Sequence, residues 1–245
     1  MSASTGVMEP AAEASPRLKA RMAGLCYLLT FLTGIVAVMI AGRLLVPGDA
    51  AATATSILAH PGWYQLGFTA YLVNVVAYLA VTQLFYGLFK PVNRGLAQLA
   101  VLFSLVGCAV QASASLLDLA PLVVLRGEPY LGVLQPEQQQ ALALLCLKLH
   151  GQAFNIGLVF FAFYCLLTGV LVFRSTFLPR ALGVLMMLAG LSWMTFLSPP
   201  LASALSPYNL APGVLGEGAL TLWLLVRGVN VQRWQAMARA AASAR

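Results

Sequence analysis

Polar positions cut this chain into six long apolar runs, at 22–40, 64–89, 96–125, 141–173, 178–197 and 210–226. A helix needs about 20 apolar residues to cross a bilayer, and about 17 suffice at the short end of the range. The pattern therefore predicts an all-α protein, a polytopic transmembrane bundle of six helices. The runs at 96–125 and 141–173 exceed what the hydrocarbon requires, so their helices must tilt, bend or project beyond it.

The segments between the runs predict smaller elements. In GDAAATATSILAHPGW, Asp49 can cap a short helix that Pro61 ends, lying at the outer interface. Trp63 and Tyr64 then follow as interfacial anchors. Residues 1–20 are polar, small and Pro-containing, and are expected to be a disordered tail. No Ala-x-Ala cleavage site follows the first run, which is therefore an uncleaved span. Residues 21–229 form the membrane domain. Residues 230–245 are Ala-rich and basic with Trp234, as expected of an interfacial helix or tail drawn to anionic lipid.

Composition agrees with a lipid solvent. Hydrophobic residues make up 60% of the 245 and charged residues 9%, against about 25% charged in a soluble domain. The net charge of +7 comes without a basic patch carrying interleaved aromatics, so no nucleic-acid partner is expected. It is a topology signal instead. Eleven of the fourteen basic residues fall on one side of the alternating spans: Arg17, Lys19, Arg21, Lys90, Arg94, Arg174, Arg180, Arg227, Arg233, Arg239 and Arg245. Arg43 and Arg126 fall on the other, and Lys148 lies inside a run. By the positive-inside rule both termini are cytoplasmic. The turns KPVNRG and RSTFLPR are short, so the spans they join are antiparallel neighbours.

Polar residues inside the runs are the candidate chemistry, because a charge at the bilayer centre costs about 2.5–3.5 kcal/mol on insertion scales. At about 1.5 Å per residue, Glu217, ten residues before Arg227, is near the midplane. Asp118, Lys148 and His150 lie nearer the outer boundary, as does Arg43. Helical spacing gives polar stripes. They run along Gly67, Tyr71, Asn74, Tyr78 and Thr82, along Ser104, Cys108, Gln111, Ser115 and Asp118, along Lys148, Gln152 and Asn155, and along Gly213, Glu217 and Thr221. His150, two residues from Lys148, is off its stripe. Small neighbours around Glu217 allow a second helix close.

These positions predict an outward-opening polar pocket floored by Glu217. Asp118, Lys148, Gln152 and Asn155 form its upper part, with His150 nearby, Gln111 below Asp118 and Asn74 opposite. Lys148 or Arg43 would pair with Asp118 or Glu217. The alternative is that the amides are glue between helices and that Asp118 and Lys148 snorkel to water.

Several chemistries are excluded. His60 and His150 are too few for a bundle with several haem ligands. There is no His-Glu-x-x-His and no Gly-rich phosphate loop, and the nearest serine, in Gly190-Leu191-Ser192, is isolated from any nucleophile motif. Cys26, Cys108, Cys146 and Cys165 lie within apolar runs without Cys-x-x-Cys and read as packing residues. No metal and no cofactor is expected.

The ordered motifs are similar to those of a bacterial six-helix membrane family of uncharacterised function, domain of unknown function 4386. They are Arg21-x-Ala23-Gly24-x-x-Tyr27-Leu28, Gly48-Asp49 with the apolar stretch after it, Phe89-Lys90-Pro91-Val92-Asn93-Arg94-x-Leu96-Ala97, His150-Gly151, Leu178-Pro179-Arg180-x-Leu182-Gly183 and Gly216-Glu217-x-x-Leu220-x-Leu222-Trp223-Leu224. The resemblance implies six spans in a bacterial membrane and carries no activity; the cytoplasmic membrane is the one expected. Three functions stay open: binding or translocation of a small polar or amphiphilic molecule or of protons, an acid-base enzyme acting on a lipid, and a structural subunit.

Overall fold

The structure, a computed structural model, describes residues 15–127 and 129–243. The expected disordered tail therefore lies outside the described residues as far as position 14, and so does Arg245. The described chain forms α1 (Pro16–Leu44), α2 (Ala50–Ala59), α3 (Pro61–Phe89), α4 (Arg94–Leu125), α5 (Pro136–Arg174), α6 (Arg180–Trp193), α7 (Pro199–Leu205), α8 (Ala211–Val226) and α9 (Val231–Ser243). Short 3-10 turns occupy Pro129–Leu131, Met194–Leu197 and Tyr208–Leu210. Six of these stretches are long and apolar enough to cross a membrane. They correspond one for one to the six predicted runs.

The boundaries follow local chemistry. Pro16 sits at the first position of α1, where a missing N–H costs nothing, so the helix starts before the apolar run and carries Arg17, Lys19 and Arg21. Asp49 accepts from the Ala52 amide at 2.8 Å and caps α2, and α3 begins at Pro61. Asn93 caps α4 in the same way through Leu96 at 2.9 Å. Of the two expected anchors, only Trp63 is exposed. Tyr64 is buried and its hydroxyl donates to Asp118, because the α2–α3 corner turns that face of α3 towards α4.

Each span packs on the next, and α8 returns to α1, so the six close into a ring whose centre is filled by aromatic side chains. Close helix approach depends on glycine. A Cβ at Gly169 would lie 2.8 Å from the Gly183 carbonyl oxygen, and one at Gly24 would lie 2.9 Å from the Leu225 amide. These contacts bring α5 onto α6 and the first half of α1 onto α8.

At the end of the bundle that carries the start of α1, the chain is tied together by α9. Trp234 is buried, and its indole N–H donates to the Leu88 carbonyl at 2.9 Å. The Asn230 amide donates to Phe177 at 3.2 Å and Arg233 to Thr176 at 3.2 Å. This basal end also holds the α3–α4 and α5–α6 turns, which gathers the basic residues of the sequence pattern at one pole. At the distal pole α5 projects. Its 39 residues span about 58 Å at 1.5 Å per residue, almost twice a hydrocarbon core of about 30 Å.

Candidate functional site

The inner face of α1 changes character along its length. Ala20, Ala23, Gly24, Tyr27 and Thr30 are buried at helical spacing, and then nothing is buried until Ile40. Over 31–39 a gap opens beside the helix. The gap is a cavity of about 400 Å³ bordered by α1, α3, α5, α8, Gln111 of α4 and Trp193 of α6. A second cavity, of about 650 Å³, lies distal to it. The two share Ala37, Val38, Tyr71 and Phe154, so they are adjoining chambers with these side chains at their boundary.

Glu217 lines the middle chamber. Its Oε2 accepts from the Tyr27 hydroxyl at 2.6 Å, and its Oε1 accepts from the Trp193 indole N–H at 2.8 Å. The Cys165 thiol approaches Oε1 at 3.7 Å. The Tyr27 hydroxyl also lies 3.5 Å from that of Tyr78. Tyr27 is ten residues after Arg17, and Cys165 nine before Arg174, so helices entering from the basal pole deliver them to the depth of Glu217. Trp193 reaches the acid because Gly213, one turn before it on α8, leaves room for the indole. Any side chain there would collide with the ring.

The predicted pairing of Glu217 with Lys148 or Arg43 is corrected: all three donors to its carboxylate are neutral. The physical reason is depth. Lys148 and Gln152 are exposed at the rim of the distal chamber, and Arg43 is exposed beside a separate cavity of about 210 Å³ with His60 and Trp63. Asp118 is not held by either cation. It accepts from Tyr64 at 3.2 Å and lines the distal chamber with Lys148, His150, Gln152 and Asn155.

His150, read as off the stripe, turns into the bundle, whereas Lys148 and Gln152 on the stripe are exposed. Its Nδ1 lies 3.0 Å from the Ala114 carbonyl oxygen, and its ring meets Tyr71 edge-on at 5.0 Å. Asn74 and Gln111 line the middle chamber with Glu217. Asn74 donates to the Thr30 carbonyl at 2.6 Å and ties α3 to α1. Gln111 is buried against Gly157, and its backbone carbonyl accepts from Tyr71 at 3.3 Å. The single pocket of the sequence pattern is therefore two chambers, with Glu217, Asn74 and Gln111 in one and Asp118, Lys148, His150, Gln152 and Asn155 in the other.

The sequence pattern overlooked Tyr27, Trp193 and Cys165. A signal existed for Trp193: tryptophan favours membrane interfaces, and this one lies thirteen residues past Arg180, well inside the span.

The family described as Domain of unknown function (DUF4386) matches residues 22–228, which include all the chamber-lining residues. The chain belongs to this family. No curated protein and no solved structure matches it. Within the family region, every group that touches the Glu217 carboxylate comes from a different span: α1, α5 and α6 converge on α8. Such an arrangement can receive a proton or a positively polarised group. Among the described residues no cluster of metal-ligating side chains occurs.

Proposed function

We propose that this family member binds a small amphiphilic molecule, taken from the bilayer into the middle chamber with its head at Glu217. The observation that carries the reading is the combination of one carboxylate with a gap between α1 and α8. Ile35, Val38 and Val214 line the chamber and are themselves exposed on the lipid-facing surface. A molecule dissolved in lipid can pass between them without crossing a polar barrier. The remaining wall is largely apolar, with Asn74 and Gln111 as further polar groups. That suits an apolar body with one polar head better than a fully polar solute. The distal chamber, behind Tyr71 and Phe154, offers room for the rest of the molecule.

The basal pole is read as cytoplasmic, because basic residues collect there, and the membrane, bacterial by the motif resemblance, as the cytoplasmic membrane. The test is mass spectrometry of small molecules and lipids that co-purify with wild-type protein and with Ala37→Trp. Ala37 borders both chambers, so an indole there fills space without touching Glu217. A molecule kept by wild type and lost from an equally stable Ala37→Trp supports binding. Identical complements of bound molecules would refute it.

A further inference from the structure

The reading above leaves the chemistry of the head open, and the middle chamber restricts it. Its described lining contains one acid, Glu217, and no lysine, arginine or histidine. The nearest basic candidates, Lys148 and His150, belong to the distal chamber. The carboxylate is oriented by Tyr27, Trp193 and Cys165, which are neutral donors. They fix its position and bring no counter-charge. A carboxylate in such a setting carries either a proton or a cation from outside the protein.

Aromatic rings line the chamber around it. Phe31, Tyr71, Tyr78, Phe154, Phe161 and Trp193 line the same space. The Tyr78 and Phe161 rings are 4.5 Å apart at 56°, and the Tyr78 hydroxyl approaches that of Tyr27 beside the acid. Ring faces are negative and attract a cation, most strongly when water is excluded. A phosphate or carboxylate head would meet the opposite: a like charge on Glu217 and no cationic side chain to offset it.

We propose, resting on that binding reading, that the ligand of the middle chamber is a lipophilic organic cation, an ammonium-headed amphiphile. Its charged head lies against Glu217 within the aromatic wall, and its apolar body extends towards α1 and the distal chamber. The cation reaches the acid through the gap beside Ile35, Val38 and Val214 and so bypasses Lys148.

The experiment is calorimetric titration of the full chain in lipid nanodiscs with decyltrimethylammonium and with decanol, for wild type, Glu217→Gln and Ala37→Trp, with empty nanodiscs subtracting partition into lipid. Saturable binding of decyltrimethylammonium to wild type is expected, at least about tenfold tighter than decanol, as charge and cation–π attraction in a desolvated site imply. Ala37→Trp is expected to abolish it, and folded Glu217→Gln to weaken it by about tenfold or more. Decanol binding wild type as tightly as the cation, with both lost in Ala37→Trp, would overturn the cationic head and leave the binding chamber intact. No saturable binding of either probe to wild type, or binding untouched by Ala37→Trp, would overturn both. The comparison of probes on wild type needs no variant to fold.

Discussion

Replacing Glu217 by Gln and by Leu tests whether the carboxylate is the acceptor that joins four helices. Leu removes the acceptor from Tyr27 and Trp193, which donate at 2.6 and 2.8 Å, and from the longer Cys165 contact. Tyr27 can turn towards Tyr78, whose oxygen is 3.5 Å away. The indole N–H of Trp193 is donor-only and is left without a partner. A stranded buried donor costs about 1–3 kcal/mol, and hydrogen bonds between membrane helices average about 0.6 kcal/mol with a maximum near 1.7. Glu217→Leu should therefore lose about 1–3 kcal/mol. Gln keeps an oxygen for Trp193 and turns its NH₂ towards Tyr27, whose hydroxyl can accept. Its loss should stay below about 1 kcal/mol. The assay is reversible unfolding by SDS titration in mixed micelles, followed by far-UV circular dichroism. Trp193→Phe should cost about 1 kcal/mol in wild type and nearly nothing in the Glu217→Leu background, since the two act through one bond. Equal losses for Gln and Leu, or additive losses for Leu and Phe, would refute the reasoning.

Further outcomes follow from other contacts. Gly213→Ala should push the indole of Trp193 aside and destabilise by about 1–3 kcal/mol, read in the same titration, because the added Cβ meets the ring. Trp234→Ala should free α9 and expose the 227–231 connection to limited proteolysis, with a loss of about 3–5 kcal/mol if the aromatic is as well packed as a core residue. Tyr64→Phe removes the hydroxyl that Asp118 accepts from and should cost about 1 kcal/mol, whereas His60→Ala, on an exposed residue, should leave the unfolding midpoint unchanged.

The six spans were legible because lipid demands a length of apolar sequence that little else produces, and the capped α2 because Asp49 and Pro61 are local signals. The inward faces of α3 and α4 were legible too. Gly67, Tyr71, Tyr78, Thr82, Ser104, Cys108, Gln111 and Ser115 are all buried, as the 3-4 spacing of the stripes implies. The site was half legible. Depth counting brought Glu217 level with Tyr27 and Cys165, yet it could not say which helices stand opposite. An acid in the membrane suggested a cation, and the fold supplies a tyrosine and a tryptophan instead. His150 was misread because a stripe drawn through Lys148 takes the exposed face as the inner one. Both chambers border the stretch of α1 beyond Thr30, and no periodicity within α1 announces which distant helices stand across from it.

The basal clasp of α9 has a mechanical consequence. Through Leu88, Thr176 and Phe177, α9 and the residue before it fasten the end of α3 and the α5–α6 turn, while Gly24 pins α1 to α8 nearby. In the proposed binding reading the bundle works like a clothes-peg whose spring is at one pole. Its jaws, the later half of α1 and the start of α8, can part only at the other. If that binding reading holds, the bound amphiphile enters and leaves through the leaflet those jaws face, and stiffening or loosening the spring alters how long it stays.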